Sequence, residues 1–237
     1  MSIHLVGGGW SEDLFRHFVV EAGSRAAGAA RVIPRIGVLL LADDEASGRE
    51  QSDRYRSMLL SIASCSPVIT VISDGSEATS DLLSDIDGLL IGGGLTPAYL
   101  EAVTGLVDEI RLLVSDGLPY LGYSAGAAIA ADAAIIGGWL IGEVPVCAEE
   151  TGEELDEVTV VAGLGLVDLA IDVHAAQWGT LARLIASTEA ELVDGGVAID
   201  EETVLIVGDG TLRVEGLGSV WRVTNSTEGV LVSTLGS

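Results

Sequence analysis

The strongest indication of the fold is the segment Leu118-Pro119-Tyr120-Leu121-Gly122-Tyr123-Ser124-Ala125-Gly126-Ala127. Its apolar first part predicts a strand over Leu118–Gly122, and the small residues Ala127–Ala134 predict a helix after it. Between them lies a GxSxG pattern, which places Ser124 on a sharp strand-to-helix turn with room for its backbone. The N–H of Ala125, at the start of the helix, can then face a developing oxyanion. The segment therefore predicts a nucleophilic serine at the end of a strand.

The first half of the chain alternates apolar runs with helical patterns, and the connections between them are short. This alternation predicts an α/β fold with a doubly wound, mostly parallel sheet between two layers of helices. Predicted strands cover Ile3–Val6, Ile36–Ala42, Val68–Ile72, Gly88–Ile91 and Leu118–Gly122; predicted helices begin at Ser11 and Thr96-Pro97, and an amphipathic stretch covers Glu45–Ala63.

The second half is less regular. Gln177–Ser187 has a helical pattern, and the acidic run Glu149–Glu157 predicts a solvated loop or helix end. Asp-Gly between Val204–Val207 and Thr211–Val214 is typical of a β-hairpin. The length of 237 residues suits one α/β domain, and no internal repeat or Pro/Ser-rich linker divides the chain. We therefore expect a single domain over residues 1–237.

The composition excludes several classes of function. The chain has 11 basic residues, all of them arginine, against 36 acidic residues, so its formal charge is −25. Without lysine there is no Walker-A lysine, no Schiff-base lysine and no Ser–Lys dyad. Nucleic acid and anionic membranes are both repelled by such a charge. Cys65 and Cys147 are isolated, and the N-terminus lacks the layout of a signal peptide. We expect a cytoplasmic protein.

A second glycine-rich turn, Gly92-Gly93-Gly94, directly follows the predicted strand Gly88–Ile91. A glycine run lets the backbone approach a substrate closely, so this loop is a candidate for the second oxyanion donor and for substrate contact. Dinucleotide binding is disfavoured, because neither this run nor Gly7-Gly8-Gly9 continues into a GxGxxG pattern.

The candidate base is His174, in Asp172-Val173-His174. His4 lies in the first predicted strand and His17 on a polar helix face, which leaves His174 as the imidazole able to activate Ser124. Asp172 lies on the same side of an extended segment as His174. The sequence leaves open whether Asp172 orients the imidazole, lines the substrate pocket or is a surface carboxylate.

Taken together, these pieces resemble the dipeptidase E and cyanophycinase family of serine peptidases, which shares its fold with class I glutamine amidotransferases. The resemblance follows the order of the family and extends over most of the chain. The matching residues are Leu90-Ile91-Gly92-Gly93-Gly94-Leu95-Thr96, Gly122-Tyr123-Ser124-Ala125-Gly126-Ala127, Asp172-Val173-His174 with Gly179, Leu181, Arg183 and Leu184, and Ala198-Ile199-Asp200-Glu201-Glu202-Thr203.

The resemblance implies a class I glutamine amidotransferase-like (flavodoxin-like) fold. It implies Ser124 as nucleophile, His174 as general base and an oxyanion hole from backbone N–H groups near Gly93 and of Ala125. Exopeptidases of the family cleave after an N-terminal aspartate, and cyanophycinases cleave β-aspartyl-arginine units. We expect Gly94, Asp172 and Arg183 to contact substrate, with Arg183 receiving a carboxylate.

The sequence departs from the family at the expected acid of the triad, where this chain has Trp139. Glu143, Glu149 and Glu150 in the following loop are the candidate replacements, and Asp172 remains open. We favour Glu149, because a short strand over Val144–Cys147 can deliver a carboxylate at its end. Trp178 and Thr180 occupy positions where cyanophycinases have arginines, which argues against cyanophycin as the substrate.

The leading hypothesis is a serine exopeptidase or amidohydrolase that cleaves a small peptide, aspartyl or β-aspartyl, through an acyl-enzyme on Ser124. It requires no cofactor and no metal. The expected partner is the peptide, with neither nucleic acid nor membrane, and a homodimer is compatible with this class. One alternative is a non-catalytic binding scaffold, motivated by Trp139. The other is an α/β-hydrolase esterase, disfavoured because no histidine follows His174.

Overall fold

A computed structural model describes residues 2–208, 210 and 212–236 of the chain. A seven-stranded sheet lies at its centre, in the order β13-β12-β1-β5-β4-β2-β3. The five strands from β1 to β3 in this order run parallel, and β12 and β13 extend the sheet antiparallel. The strands are β1 (Ile3–Val6), β2 (Arg35–Leu41), β3 (Ser66–Ile72), β4 (Gly88–Ile91), β5 (Tyr120–Tyr123), β6 (Ala133–Gly137), β7 (Leu140–Ile141), β8 (Val144–Pro145), β9 (Thr159–Ala162), β10 (Ala170–Val173), β11 (Gly195–Ile199), β12 (Thr203–Val207), β13 (Arg213–Gly216), β14 (Val220–Ser226) and β15 (Gly229–Leu235).

Helices cover both faces of the central sheet. On β2, Val38 and Leu40 pack with helices α1 and α2, while Leu39 between them packs with α3 and α4 on the opposite face. Because successive side chains of a strand alternate between faces, an apolar run such as that of β2 needs cover on both. The predicted three-layer α/β fold is confirmed. The helices are α1 (Asp13–Gly28), α2 (Glu45–Ile62), α3 (Thr96–Val103), α4 (Val107–Ser115), α5 (Ala125–Ala128), α6 (Ala175–Trp178) and α7 (Leu181–Glu189).

A second sheet of four strands, in the order β10-β11-β14-β15, lies beside the first. Its strands β10 and β11 are parallel, so both end at the same edge. The backbone N–H of His174, just after β10, donates to the carbonyl of Gly7, just after β1, at 2.9 Å. This contact brings the ends of strands from the two sheets together.

The sequence located most elements of the first half within about two residues. The predicted helix over Ala127–Ala134 is wrong, because α5 ends at Ala128 and β6 then pairs with β9. The predicted helix over Gln177–Ser187 is interrupted at Gly179, which has φ +74°. The predicted hairpin forms as the antiparallel pair β12–β13, while Asp209 and Thr211 lie outside the described residues.

None of the helices in the described part of the chain combines the length and the apolar character that crossing a bilayer requires. The assignment of residues 1–237 to one domain stays a prediction.

Candidate active site

Ser124 occupies the turn between β5 and α5, with φ +52° and ψ −109°. This conformation is sparsely populated for a non-glycine residue and is stabilised here by close packing on both sides. A Cβ at Gly122 would lie 2.3 Å from the carbonyl oxygen of Gly126, and a Cβ at Gly126 would lie 2.3 Å from that of Ile91. Both glycines of the GxSxG pattern are therefore required by the backbone of the turn itself.

His174 meets this serine from the end of β10. Its Nε2 lies 2.8 Å from Ser124 Oγ, and its side chain is almost entirely buried. The backbone of His174 is left-handed, with φ +55° and ψ +36°, so the chain turns sharply from β10 into α6. This turn aims the imidazole across the gap between the two sheets at Ser124.

Glu201 lies on the other side of the imidazole, in the loop between β11 and β12. Its Oε1 is 2.8 Å from Nδ1 of His174. A carboxylate at Nδ1 fixes the proton there, so Nε2 carries the lone pair that accepts the Ser124 hydroxyl. Burial lowers the pKa of His174 below its ordinary value, while the hydrogen bond and charge of Glu201 act in the opposite direction. The arrangement is a hydrogen-bonded chain from a carboxylate through an imidazole to a serine.

The neighbouring Asp200 holds the loop of Glu201 in place. Its Oδ1 accepts the N–H of Ala176 and the indole N–H of Trp221, each at 3.0 Å, and its Oδ2 accepts the N–H of Ser219 at 2.9 Å. The N–H of Glu201 itself donates to Oε1 of Gln177 at 2.9 Å. The loop is thus anchored both to α6 and to β14.

Gly8 forms the floor under the imidazole and the carboxylate. A Cβ at this position would lie 2.4 Å from Cε1 of His174 and 3.0 Å from Cγ of Glu201, and φ is +127°. The Gly7-Gly8-Gly9 run, which fails as a dinucleotide motif, therefore has a different role in this protein. Its lack of side chains lets His174 and Glu201 lie against the end of β1.

The predicted acid Glu149 is not the residue that meets His174. Glu149 and Glu150 lie in a 3₁₀ turn, Glu149–Thr151, and Glu143 lies at the tip of the β7–β8 hairpin. The expected strand over Val144–Cys147 is only Val144–Pro145, and its two residues are exposed. The carboxylate at Nδ1 belongs to Glu201, a residue that the family resemblance covered without a role. No local pattern singles it out, since Asp200 and Glu202 flank Glu201 in the same loop.

Asp172 and Arg183 form a buried pair rather than substrate contacts. Arg183 Nε and Nη2 donate to the two Asp172 oxygens at 2.8 and 2.7 Å, and Nη1 donates to the carbonyls of Gly138 and Thr151. Burial opposes the charge of Arg183, but the Asp172 carboxylate outweighs it and raises the pKa of the guanidinium. The expectation that Arg183 receives a substrate carboxylate does not fit, because these partners occupy its donors. Asp172 likewise binds Arg183 and does not orient the imidazole.

The glycine loop after β4 packs against the serine. A Cβ at Gly93 would lie 2.9 Å from Cβ of Ser124, and the N–H of Gly126 donates to the carbonyl of Gly92 at 3.0 Å. Gly93 and Gly94 also line a cavity of about 250 Å³. Its other walls include Asp43, Gln51, Asp74 and Tyr99. The loop therefore borders both Ser124 and a space that can hold a small ligand.

Comparisons with known proteins agree with this architecture. The sequence model of Peptidase family S51 matches residues 50–215, well over half of the chain. The chain therefore belongs to Peptidase family S51, whose members are serine-type hydrolases.

The individual relatives share either a short matching segment or a low overall sequence identity with this chain. A peptidase E from Nostoc sp. (strain PCC 7120) is 38% identical over 56 residues, which is 23% of each protein's length. The crystal structure of a peptidase from an acI-B1 actinobacterium has a TM-score of 0.66 at 17% identity, over 100% of this chain and 95% of that chain. A structure from Listeria monocytogenes EGD-e, described as a peptidase E, has a TM-score of 0.57 at 15% identity, over 92% and 98%. The two structural matches support the shared fold.

Proposed function

We propose that the protein hydrolyses small peptides through an acyl-enzyme on Ser124, with His174 as general base and Glu201 as the carboxylate that orients it. One observation carries this proposal: two consecutive 2.8 Å contacts join Glu201 to His174 and His174 to Ser124. The Ser-His-carboxylate triad of serine hydrolases has this order of carboxylate, imidazole and hydroxyl. Trp139 is then no argument for a non-catalytic scaffold, because Glu201 supplies the carboxylate from another loop.

The first half of the reaction forms an ester. Ser124 Oγ attacks the scissile carbonyl carbon while its proton passes to Nε2 of His174. The carbonyl oxygen becomes an oxyanion, and the N–H groups of Ala125 and Gly93 are the proposed donors to it. The imidazolium then gives its proton to the leaving amine, the C–N bond breaks, and the acyl group remains on Ser124.

The second half removes the acyl group. Water attacks the ester carbonyl while His174 takes one proton from the water. The imidazolium then gives this proton to Ser124 Oγ as the C–O bond of the ester breaks. Glu201 stays ionised throughout and stabilises the imidazolium that forms twice. The products are a carboxylic acid and an amine, so no redox partner or cofactor enters the balance.

The proposed substrates are short peptides, as the family resemblance implies, and the cavity of about 250 Å³ beside Gly93 and Gly94 is the proposed space for one end of such a peptide. The carboxylates of Asp43 and Asp74 line this cavity and would repel an acidic side chain. Arg183 cannot bind such a side chain either, because Asp172 occupies its donors. Aspartyl and β-aspartyl peptides remain the expectation from the family, so the substrate panel has to contain both acidic and neutral members.

The test is hydrolysis of a dipeptide panel that contains Asp-X, β-Asp-X and neutral X-X′ members. Ser124→Ala is compared with wild type, and Ser115→Ala, at an exposed position, is the matched control. We expect turnover by wild type and the control, an acyl adduct trapped at Ser124, and no turnover by Ser124→Ala. Full activity of Ser124→Ala would exclude the proposal, and cleavage of simple esters without any peptide would favour an esterase.

A further inference from the structure

Trp178 lies directly on the imidazole of His174. The two ring centroids are 3.8 Å apart and the ring planes differ by 9°. The short helix α6 produces this contact, because the N–H of Trp178 donates to the carbonyl of His174 at 2.8 Å and folds the indole back over the ring. Gly179, with φ +74°, then ends the helix.

Other described contacts of the imidazole are made at its ring atoms Cε1, Nδ1 and Nε2. Gly8 lies against Cε1 and Nδ1, Glu201 accepts at Nδ1, and Ser124 meets Nε2. Trp178 covers a face of the ring, yet 45% of its own surface is exposed. The indole therefore contacts the catalytic base without being part of the hydrophobic core.

We propose that Trp178 is a positioning residue that favours the protonated form of His174 through the π face of its indole. The inference rests on the proposed function, since it assigns a role during the proton transfers at His174. The face of an indole attracts a cation more strongly than that of phenylalanine or tyrosine. Because His174 becomes an imidazolium only as the reaction proceeds, the attraction grows towards the transition state.

The proposed effect acts beside other charges that face His174. The carboxylate of Glu201 favours the imidazolium, and Asp172 does so more weakly from β10, where Arg183 neutralises it. Burial of the ring acts in the opposite direction and is the largest influence on its pKa. Trp178 contributes both cover, which excludes water, and a π face, which attracts charge. A test has to separate these two contributions.

Trp178→Phe and Trp178→Leu make this separation, since both keep an apolar side chain over the ring and only phenylalanine keeps a π face. Trp178→Met is a second non-aromatic variant, with an unbranched chain, in case leucine disturbs α6. Trp139→Phe and Trp139→Leu are the control pair, at a tryptophan that contacts Asp156 instead.

The first readout is the pKa of His174 from an NMR titration of its imidazole Cε1–H signal. The chain has only 3 histidines, so His174→Asn assigns the signal directly. We expect a lower pKa in Trp178→Leu and Trp178→Met than in Trp178→Phe, and no difference within the Trp139 pair. Because this readout needs no substrate, it remains valid even if the proposed peptidase activity fails.

The second readout is kcat against pH. We expect kcat of Trp178→Leu to fall roughly 3- to 30-fold below that of Trp178→Phe, the size of a desolvated cation–π contact. Equal pKa values and equal kcat in the phenylalanine and leucine variants would overturn the inference. If Ser124→Ala is inactive while the two Trp178 variants are equal, the role of Trp178 is rejected and the proposed function is still supported.

Discussion

Glu201 Oε1 lies 2.8 Å from Nδ1 of His174, although the two residues are 27 positions apart in the chain. Their proximity follows from sheet pairing, because β10 and β11 are parallel neighbours in which Val173 is opposite Ile199. His174 directly follows the first of these strands, and Glu201 lies two residues beyond the second. The site is thus built where parallel strands end, as in many α/β proteins.

The carboxylate of Glu201 is predicted to be essential to the rate. We expect Glu201→Gln to lower kcat roughly 10³- to 10⁴-fold, since an amide neither fixes the imidazole tautomer nor stabilises the imidazolium. Glu149→Gln is the control, because it makes the same change at the 3₁₀ turn and should leave kcat near wild type. Steady-state kinetics on one peptide give kcat for both variants and for wild type. The reverse result, with Glu149 essential and Glu201 dispensable, would refute the assignment.

The activity is predicted to persist into mildly acidic solution. His174 has to be neutral to accept the Ser124 proton, and burial lowers its pKa below the ordinary value of 6.5. The acid limb of kcat/KM should therefore lie below pH 6.5. Removing the charge of Glu201, which favours the imidazolium, should move this limb to still lower pH. An acid limb above pH 6.5 in wild type, or a limb that rises in Glu201→Gln, would contradict the described environment.

Gly8 is predicted to tolerate no side chain. In Gly8→Ala the new Cβ would have to displace His174 or Glu201, and the backbone at φ +127° disfavours alanine in any case. Because displacement of a catalytic group by about 1 Å can cost about 100-fold, we expect at least that loss in kcat. Gly23→Ala, in α1 with open space around it, is the matched control. Wild-type kinetics in Gly8→Ala would show that this contact does not position the site.

The Asp172–Arg183 pair is predicted to act on stability and not on substrate choice. We expect Arg183→Met to lower the free energy of unfolding by roughly 3–5 kcal/mol, since it leaves Asp172 buried without its partner. Arg49→Met is the control, because it removes an exposed partner of Glu45 and should change the free energy of unfolding by less than about 1 kcal/mol. Urea denaturation measures both. A stable Arg183→Met variant with a raised KM for acidic peptides alone would restore Arg183 to substrate binding.

The fold and the strand-to-helix turn at Ser124 could be predicted because their signals are local. The apolar run of β4, Gly88–Ile91, has the same bounds in the sequence pattern and in the structure. The GxSxG turn is equally local, since its glycines, its strand and its helix start lie within a few residues of Ser124. His174 followed by elimination, because the chain has only 3 histidines.

The carboxylate could not be predicted, because no local pattern distinguishes it. The chain has 36 acidic residues, and the pairing of β10 with β11, which is not local in sequence, determines which of them reaches Nδ1 of His174. The same reason applies to Arg183. Its burial and its pairing with Asp172 depend on how α7 packs on the second sheet, and no local pattern distinguishes a buried, paired arginine from an exposed one.

Whether Ser124 is an activated nucleophile can be read from the intact mass of the protein after exposure to a fluorophosphonate. Wild type, Ser124→Ala, His174→Ala and Glu201→Gln would be treated side by side, with folding checked by circular dichroism. We predict one adduct on wild type, none on Ser124→Ala or His174→Ala, and slow labelling of Glu201→Gln. A folded wild-type protein that takes up no adduct, or an adduct that persists in Ser124→Ala, would contradict this prediction.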